Sequence, residues 1–250
     1  MDKQYLARQA VLTAIALVCI IALFELTDID MWFQSKLYQF GPDHWMLDKH
    51  NETLRLIFYD GPKNLLAVLV GLSLLAIIVL SRTIRFQPYR RGLLIVLISM
   101  AITASLVGLL KTWTDVPCPK DLSAFGGRYP HITFLHRIPI SADLGRVRCF
   151  PAGHASGGFA LLSLFFLFRQ RRNRWLGFGA GMLLGWTLGG YKMLIGDHFL
   201  SHTLVTMCIA WLVSLGVAAC VFRLSRERAG SIPGYGAGYR EIEPVDQPIH

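Results

Sequence analysis

The stretch KNLLAVLVGLSLLAIIVL, positions 63–80, has one lysine at its start and no other charge. Its length is near the roughly 17–25 residues that a helix needs to cross a bilayer. Five more apolar runs stand at 10–26, 92–110, 154–168, 175–195 and 203–222. The run at 175–195 contains GFGAGMLLGWTLGG, rich in the small residues that let membrane helices approach closely. The first run has no A-x-A-like site and continues into ELTDIDMWF, so it reads as a helix rather than a cleaved signal. The 250-residue chain is 53% hydrophobic and 16% charged, less charge than a soluble domain carries. The expected fold is all-α and integral to the membrane. Six transmembrane helices form one bundle over residues 1–228, with two long outer-face loops, 27–62 and 111–153. The Gly- and Pro-bearing segment 229–250 reads as a flexible tail.

Charge sets the expected orientation. Lys3 and Arg8 precede the first run, and Arg82, Arg85, Arg90 and Arg91 follow the second. Arg169, Arg171, Arg172 and Arg174 follow the fourth, and Arg223, Arg226 and Arg228 follow the sixth. Six helices put all of these on one side. The positive-inside rule makes that side cytoplasmic, with both termini on it. The net charge of +9 then fits cytoplasmic loops and anionic head groups, and no separate basic segment is present to bind nucleic acid. The opposite loop, 111–153, carries Lys111, Lys120, Arg128, Arg137, Arg146 and Arg148. That excess points to an anionic ligand, although long loops are largely exempt from the rule.

Three polar clusters fall on the outer face: KTWTDVPCP at 111–119, CFPAGH at 149–154 and YKMLIGDHFLSH at 191–202. Taken singly, Lys111 reads as a snorkelling helix-end lysine, His154 as a solvated residue at a helix start, and His198 and His202 as interfacial residues. Ionisable groups at a membrane-embedded end are costly, so three clusters on one face point to a functional site. Their order and spacing resemble the type 2 phosphatidic acid phosphatase superfamily, membrane phosphatases of lipid phosphates. That pattern is K-x6-R-P, then P-S-G-H, then S-R-x5-H-x3-D. Here Lys111 is followed after six residues by Cys118-Pro119. Pro151-Ala152-Gly153-His154 stands second, and Lys192, His198 and His202 keep the spacing of the third motif. The resemblance covers 111–202 and agrees with six helices. Cys118, Ala152, Tyr191-Lys192 and His202 depart from it, standing where the pattern has Arg, Ser, Ser-Arg and Asp. Cys118 and Ala152 therefore receive no phosphate-binding role.

The resemblance implies His198 as the nucleophile, forming a phosphohistidine, and His154 as the general acid toward the leaving alkoxide. Imidazole, with an ordinary pKa of about 6.5, is available in the neutral form near pH 7. Lys111 and Lys192 neutralise phosphate as point charges, and Gly153 permits close backbone approach. Arg148, with Arg146 beside it, stands nearest in sequence to replace the missing arginines. A nucleophilic histidine needs its second ring nitrogen held. His202, at i+4 on the same helical face, and Asp197 are the alternatives for that task. His202→Asp would then preserve or improve turnover. A zinc site of His198, His202 and His154 competes, but it leaves the lysines and Pro-Ala-Gly-His without a purpose. The expectation is no metal and no other cofactor.

Cys19, Cys208 and Cys220 lie in apolar runs, whereas Cys118 and Cys149 flank the outer loop beside the clusters. In an oxidising outer compartment these two are expected to form a disulfide. The expected activity is removal of phosphate from a lipid phosphate or diphosphate at the outer face of a bacterial inner membrane. The candidate lipids are phosphatidylglycerol phosphate, phosphatidate, undecaprenyl diphosphate and lipid A. A lipid-to-lipid phosphotransferase, a zinc-dependent hydrolase and a non-catalytic lipid-phosphate binder or transporter are the alternatives.

Overall fold

The computed structural model describes residues 2–38, 44–80, 82–84, 86–133, 135 and 145–230, the side chains of 225–230 excepted. Helix α1 (Lys3–Leu26) opens on Asp2, whose carboxylate accepts from the Gln4 N–H at 3.2 Å. The short α2 (Ile29–Leu37) follows. Helix α3 (Glu52–Arg55) runs through a π turn, Leu56–Asp60, into α4 (Gly61–Leu80). Helix α5 (Gln87–Thr114) carries Pro88 in its first turn, where a missing N–H sacrifices no helical bond. It stops at Asp115, whose φ of 49° is left-handed. Helix α6 (Gly153–Ala160) continues as a 3-10 stretch, Leu161–Phe166. Helices α7 (Arg171–Leu194) and α8 (Leu200–Gly230) complete the bundle. Among the described residues the β-structure amounts to one isolated bridge, Leu122 to Tyr129.

The helices alternate in direction. Leu6 of α1 packs with Ile95 of α5, Phe165, and Leu215 and Ala218 of α8. Toward the other end, Val107 of α5 packs with Phe150 and with Val205 and Ile209 of α8. One end of the bundle therefore gathers most of the arginines, Arg90, Arg91, Arg169, Arg171, Arg172, Arg174 and Arg223 among them, and the other the clustered histidines. The α6 stretch lies in the middle, with Ala155, Phe159 and Leu162 buried against Ala210. Its contact with α7 is backbone on backbone. A Cβ on Gly158 would lie 2.6 Å from Gly185 Cα, and one on Gly181 would lie 2.5 Å from Leu162 N. Such close approach is how membrane helices gain packing energy where lipid supplies no hydrophobic drive.

Among the described residues, four stretches are long and apolar enough to cross a membrane: Lys3–Leu26, Glu52–Leu80, Gln87–Asp121 and Leu200–Leu224. The chain is a multi-pass membrane protein. The run at 154–168 gives instead the shorter apolar helix Gly153–Phe166. Its α and 3-10 parts rise roughly 24 Å in all, against a hydrocarbon core of ~30 Å. Helix α7 has 24 residues, but Arg171, Arg172 and Arg174 and its glycines make it less apolar than a lipid-facing span. The α6 stretch is shielded by neighbours and needs no apolar surface all round, whereas α7 buries its glycine face and leaves Trp175, Leu176 and Leu183 exposed. The loop expected at 27–62 is shorter than the sequence suggests, because the second span begins at Glu52 and α2 takes up Ile29–Leu37. Helix α8 includes the first two residues of the expected tail. Residues 231–250, the loop interior 136–144 with Arg137, and Arg85 lie outside the described residues.

Candidate active site

Backbone bonds sew the loop segments onto the histidine end. Cys149 N donates to Val116 O at 3.0 Å, Lys120 N to Gly196 O at 3.0 Å, and Ala152 N to His202 O at 3.2 Å. A disulfide joins Cys118 to Cys149. After α7 the chain turns at Gly196, whose φ is 75° and where a Cβ would lie 2.2 Å from the Trp45 ring. Only glycine fits such a turn. Beyond it, Asp30 of α2 caps α8: it accepts from the Ser201 N–H at 3.0 Å and pairs with the Ser201 hydroxyl. Burial raises the Asp30 carboxyl to about 6, against the lowering effect of those Ser201 bonds.

This turn delivers His198 inward, leaving it 2% exposed. Its Nε2 faces His154 Nδ1 at 3.4 Å, and its Nδ1 faces Cys149 Sγ at 3.3 Å. A disulfide sulfur carries no proton, so across the second contact Nδ1 is the only available donor. With the proton on Nδ1, the Nε2 lone pair is free to accept from His154. Burial pushes His198 well below its ordinary pKa, with His202 and Lys111 adding to the shift, so the ring is neutral.

His202 is buried with its ring centroid 5.1 Å from Phe150 and 5.3 Å from Phe199. Its ring bonds to the Cys149 backbone, and its Nδ1 has no hydrogen-bond partner among the described residues. The His198 and His202 centroids are 5.8 Å apart, and no hydrogen bond joins the rings among the described residues. Asp197 does not hold His198 either. Its carboxylate pairs with Lys192 Nζ and Lys120 Nζ, each at 2.8 Å. Burial alone would raise that carboxyl, but the two ammoniums outweigh it and hold it below the usual carboxylate range.

Lys111 lies half-buried against Gly153, where a Cβ would come within 3.1 Å of Nζ. The absent side chain leaves room for this ammonium beside the start of α6. Lys192 Nζ sits 4.6 Å from the Tyr59 ring centroid, and that ring meets His154 edge-on at 5.3 Å. An open cleft of about 640 Å³ leads from here. Tyr59, Lys63, Lys111 and His154 line it with polar groups, and Leu66, Val70 and Leu188 give it an apolar wall. Tyr59, Lys63 and Lys120 are additions that motif spacing does not contain. Lys63 heads its apolar run much as Lys111 ends another, which was the available signal. Arg148 is exposed and does not line the cleft. Arg146 donates to Asp115 at 3.3 Å and to Thr112 O at 2.8 Å, which ties it to the end of α5. Ala152 is fully buried, its carbonyl accepting from the Thr206 hydroxyl at 3.3 Å.

Among the described residues, one three-donor group lies within 4.8 Å: Cys118, Cys149 and His198. Its two sulfurs are bonded to each other, so they present no thiolate to a metal. His154, His198 and His202 do not converge as such a set. A family model described as the PAP2 superfamily matches residues 92–226, more than half of the chain. No curated protein and no solved structure matches it.

Proposed function

The chain belongs to the PAP2 superfamily, whose members act on phosphate esters, and on that premise we propose a membrane lipid phosphatase working through a phosphohistidine at His198. The observation that carries this reading is the His154–His198 apposition at 3.4 Å, at the polar end of a cleft with an apolar wall. A phosphoryl group entering between the rings meets the Lys63, Lys111 and Lys192 ammoniums. These cations and the free N–H groups at the start of α6 stabilise charge on its oxygens. His198 Nε2 attacks phosphorus, and the leaving alkoxide takes its proton from His154. Water then attacks the phosphohistidine, giving its proton to His154 and releasing phosphate and free His198. The proton on Nδ1 stays with the Cys149 side of the ring, so this reading assigns the orienting role to the disulfide rather than to His202 or Asp197.

The substrate is a lipid phosphate or diphosphate, of the kind of phosphatidylglycerol phosphate, phosphatidate, undecaprenyl diphosphate or lipid A. Its chain follows Leu66 and Val70, which share the face of α4 that Lys63 heads. All six apolar runs count as membrane helices in this reading. The arginine end and both termini face the cytoplasm, and the histidine end faces the outside of a bacterial inner membrane. The test is phosphate release from these lipids by detergent-solubilised protein. His198→Ala lowers release at least ~1,000-fold, as loss of a nucleophile does. An acid-labile phosphoprotein forms on the wild type and not on the variant. Undiminished release by a folded His198→Ala chain sinks the assignment, and loss of activity in EDTA restored by Zn²⁺ replaces it with a zinc mechanism.

A further inference from the structure

The arginine end of the bundle holds a second cleft, of about 790 Å³, between α5, α8 and the turn before α7. Arg90, Arg91 and Arg169 line it, and no acidic residue does among the described side chains. These cations are neighbours because the backbone forces them to be. A Cβ on Gly92 would lie 2.5 Å from Leu167 Cα and 2.8 Å from Phe166 O, so the second turn of α5 rests directly on the turn that carries Arg169. Three guanidiniums gathered this way repel one another. Among the described residues none of the three has a carboxylate partner. Guanidinium is the side chain best shaped for phosphate oxygens, which it binds two at a time.

The cleft is not only a basic rim. Leu94 and Ile98 continue the Arg90 face down α5, and Leu224 of α8 faces them. Ile98 is 40% exposed and Leu224 59% exposed, so both look outward at the depth of acyl chains. From Arg90 to Ile98 the helix rises roughly 12 Å, which takes a ligand from the interface into hydrocarbon. The histidines are remote, since Arg90 and Lys111 lie on one helix roughly 30 Å apart along its axis.

The geometry points to a bound anionic phospholipid, in the leaflet opposite the histidines, with its phosphate on Arg90, Arg91 and Arg169 and an acyl chain along Leu94, Ile98 and Leu224. A soluble phosphate would use the rim and leave the apolar wall without a role. Basic pockets between membrane helices hold anionic head groups in this way. The site is independent of the chemistry at His198, and it stands or falls separately.

The experiment uses the full chain in detergent, with dioleoyl phosphatidylglycerol and dioleoyl phosphatidylcholine as probes, read by native mass spectrometry and by thermal stability. The wild type retains phosphatidylglycerol at least ten times more than phosphatidylcholine and melts higher in its presence. Arg90→Gln/Arg91→Gln/Arg169→Gln loses that preference while melting normally in phosphatidylcholine. A preference that survives in the triple variant overturns the proposal. So does full displacement of the lipid by millimolar inorganic diphosphate, which would make the occupant a soluble anion. If the triple variant does not fold, Arg169→Gln alone decides: retention falls at least threefold, and unchanged retention overturns the site.

Discussion

His202 lies in a sleeve made by Phe150 and Phe199, its ring bonded to the Cys149 backbone. An aspartate there would bury a charge between two aromatic rings, and with Lys120 and Lys192 already paired with Asp197 the cation whose field still reaches it is Lys111, which makes no ion pair there. Motif spacing makes His202→Asp a restoring change, and the geometry reverses that expectation. The variant should lose about 3 kcal/mol or more of stability, visible as a lower melting temperature in detergent, and should release less phosphate. A variant as stable and as active as the wild type would return position 202 to the orienting role. Lys111, Gly153, His154 and Lys192 were legible in the sequence because short motifs with fixed spacing carry them. The contact of His198 with Cys149 was not. It spans 49 positions and arises where two loop paths cross, which no local pattern encodes.

Between elements, the disulfide and the Asp30 cap do comparable work on opposite sides of the α7–α8 turn. The disulfide closes a loop of 31 residues, and chain-entropy arguments give such a closure about 3–4 kcal/mol. It also backs His198. Dithiothreitol, or Cys118→Ser/Cys149→Ser, should therefore lower the melting temperature and also slow phosphate release at temperatures where the protein stays folded. Equal rates in both forms would reduce the bridge to a staple. Asp30 gives a pH signature. Its carboxyl is raised to about 6, so the folded chain holds that proton more tightly than the unfolded chain does. The resulting stability is full below the ordinary carboxylate pKa near 4 and is lost as pH rises through about 6. Asp30→Asn keeps a side chain able to meet Ser201 and removes the charge. Its melting temperature relative to wild type should be higher at pH 8 than at pH 5. A difference that does not change with pH would place the titration elsewhere. The sequence showed α8 and its apolar run plainly, but not that a residue of α2, 171 positions away, would cap it.

Across the whole molecule, alternating helices put Lys3 of α1 beside Arg223 of α8 and leave Leu47 bonded to Leu194 at the far end. With the native free cysteines replaced by serine, Asp48→Cys should react with an impermeant maleimide on intact cells. Asp2→Cys should react only after permeabilisation. The reverse pattern would invert the proposed orientation. Apolar run length showed where the helices are, because lipid-facing spans must be apolar on every side. It overstated the α6 stretch, whose surroundings are protein. That stretch, at roughly 24 Å and with Ala155 and Phe159 fully covered, has little of its own to hold it in hydrocarbon. During synthesis it emerges before α7 and α8, the helices that cover it. On the proposed six-span reading it therefore enters the bilayer as half of a hairpin with α7, and His154 reaches its working depth only when α8 arrives behind it. The order of translation makes the site the last part of the protein to be built.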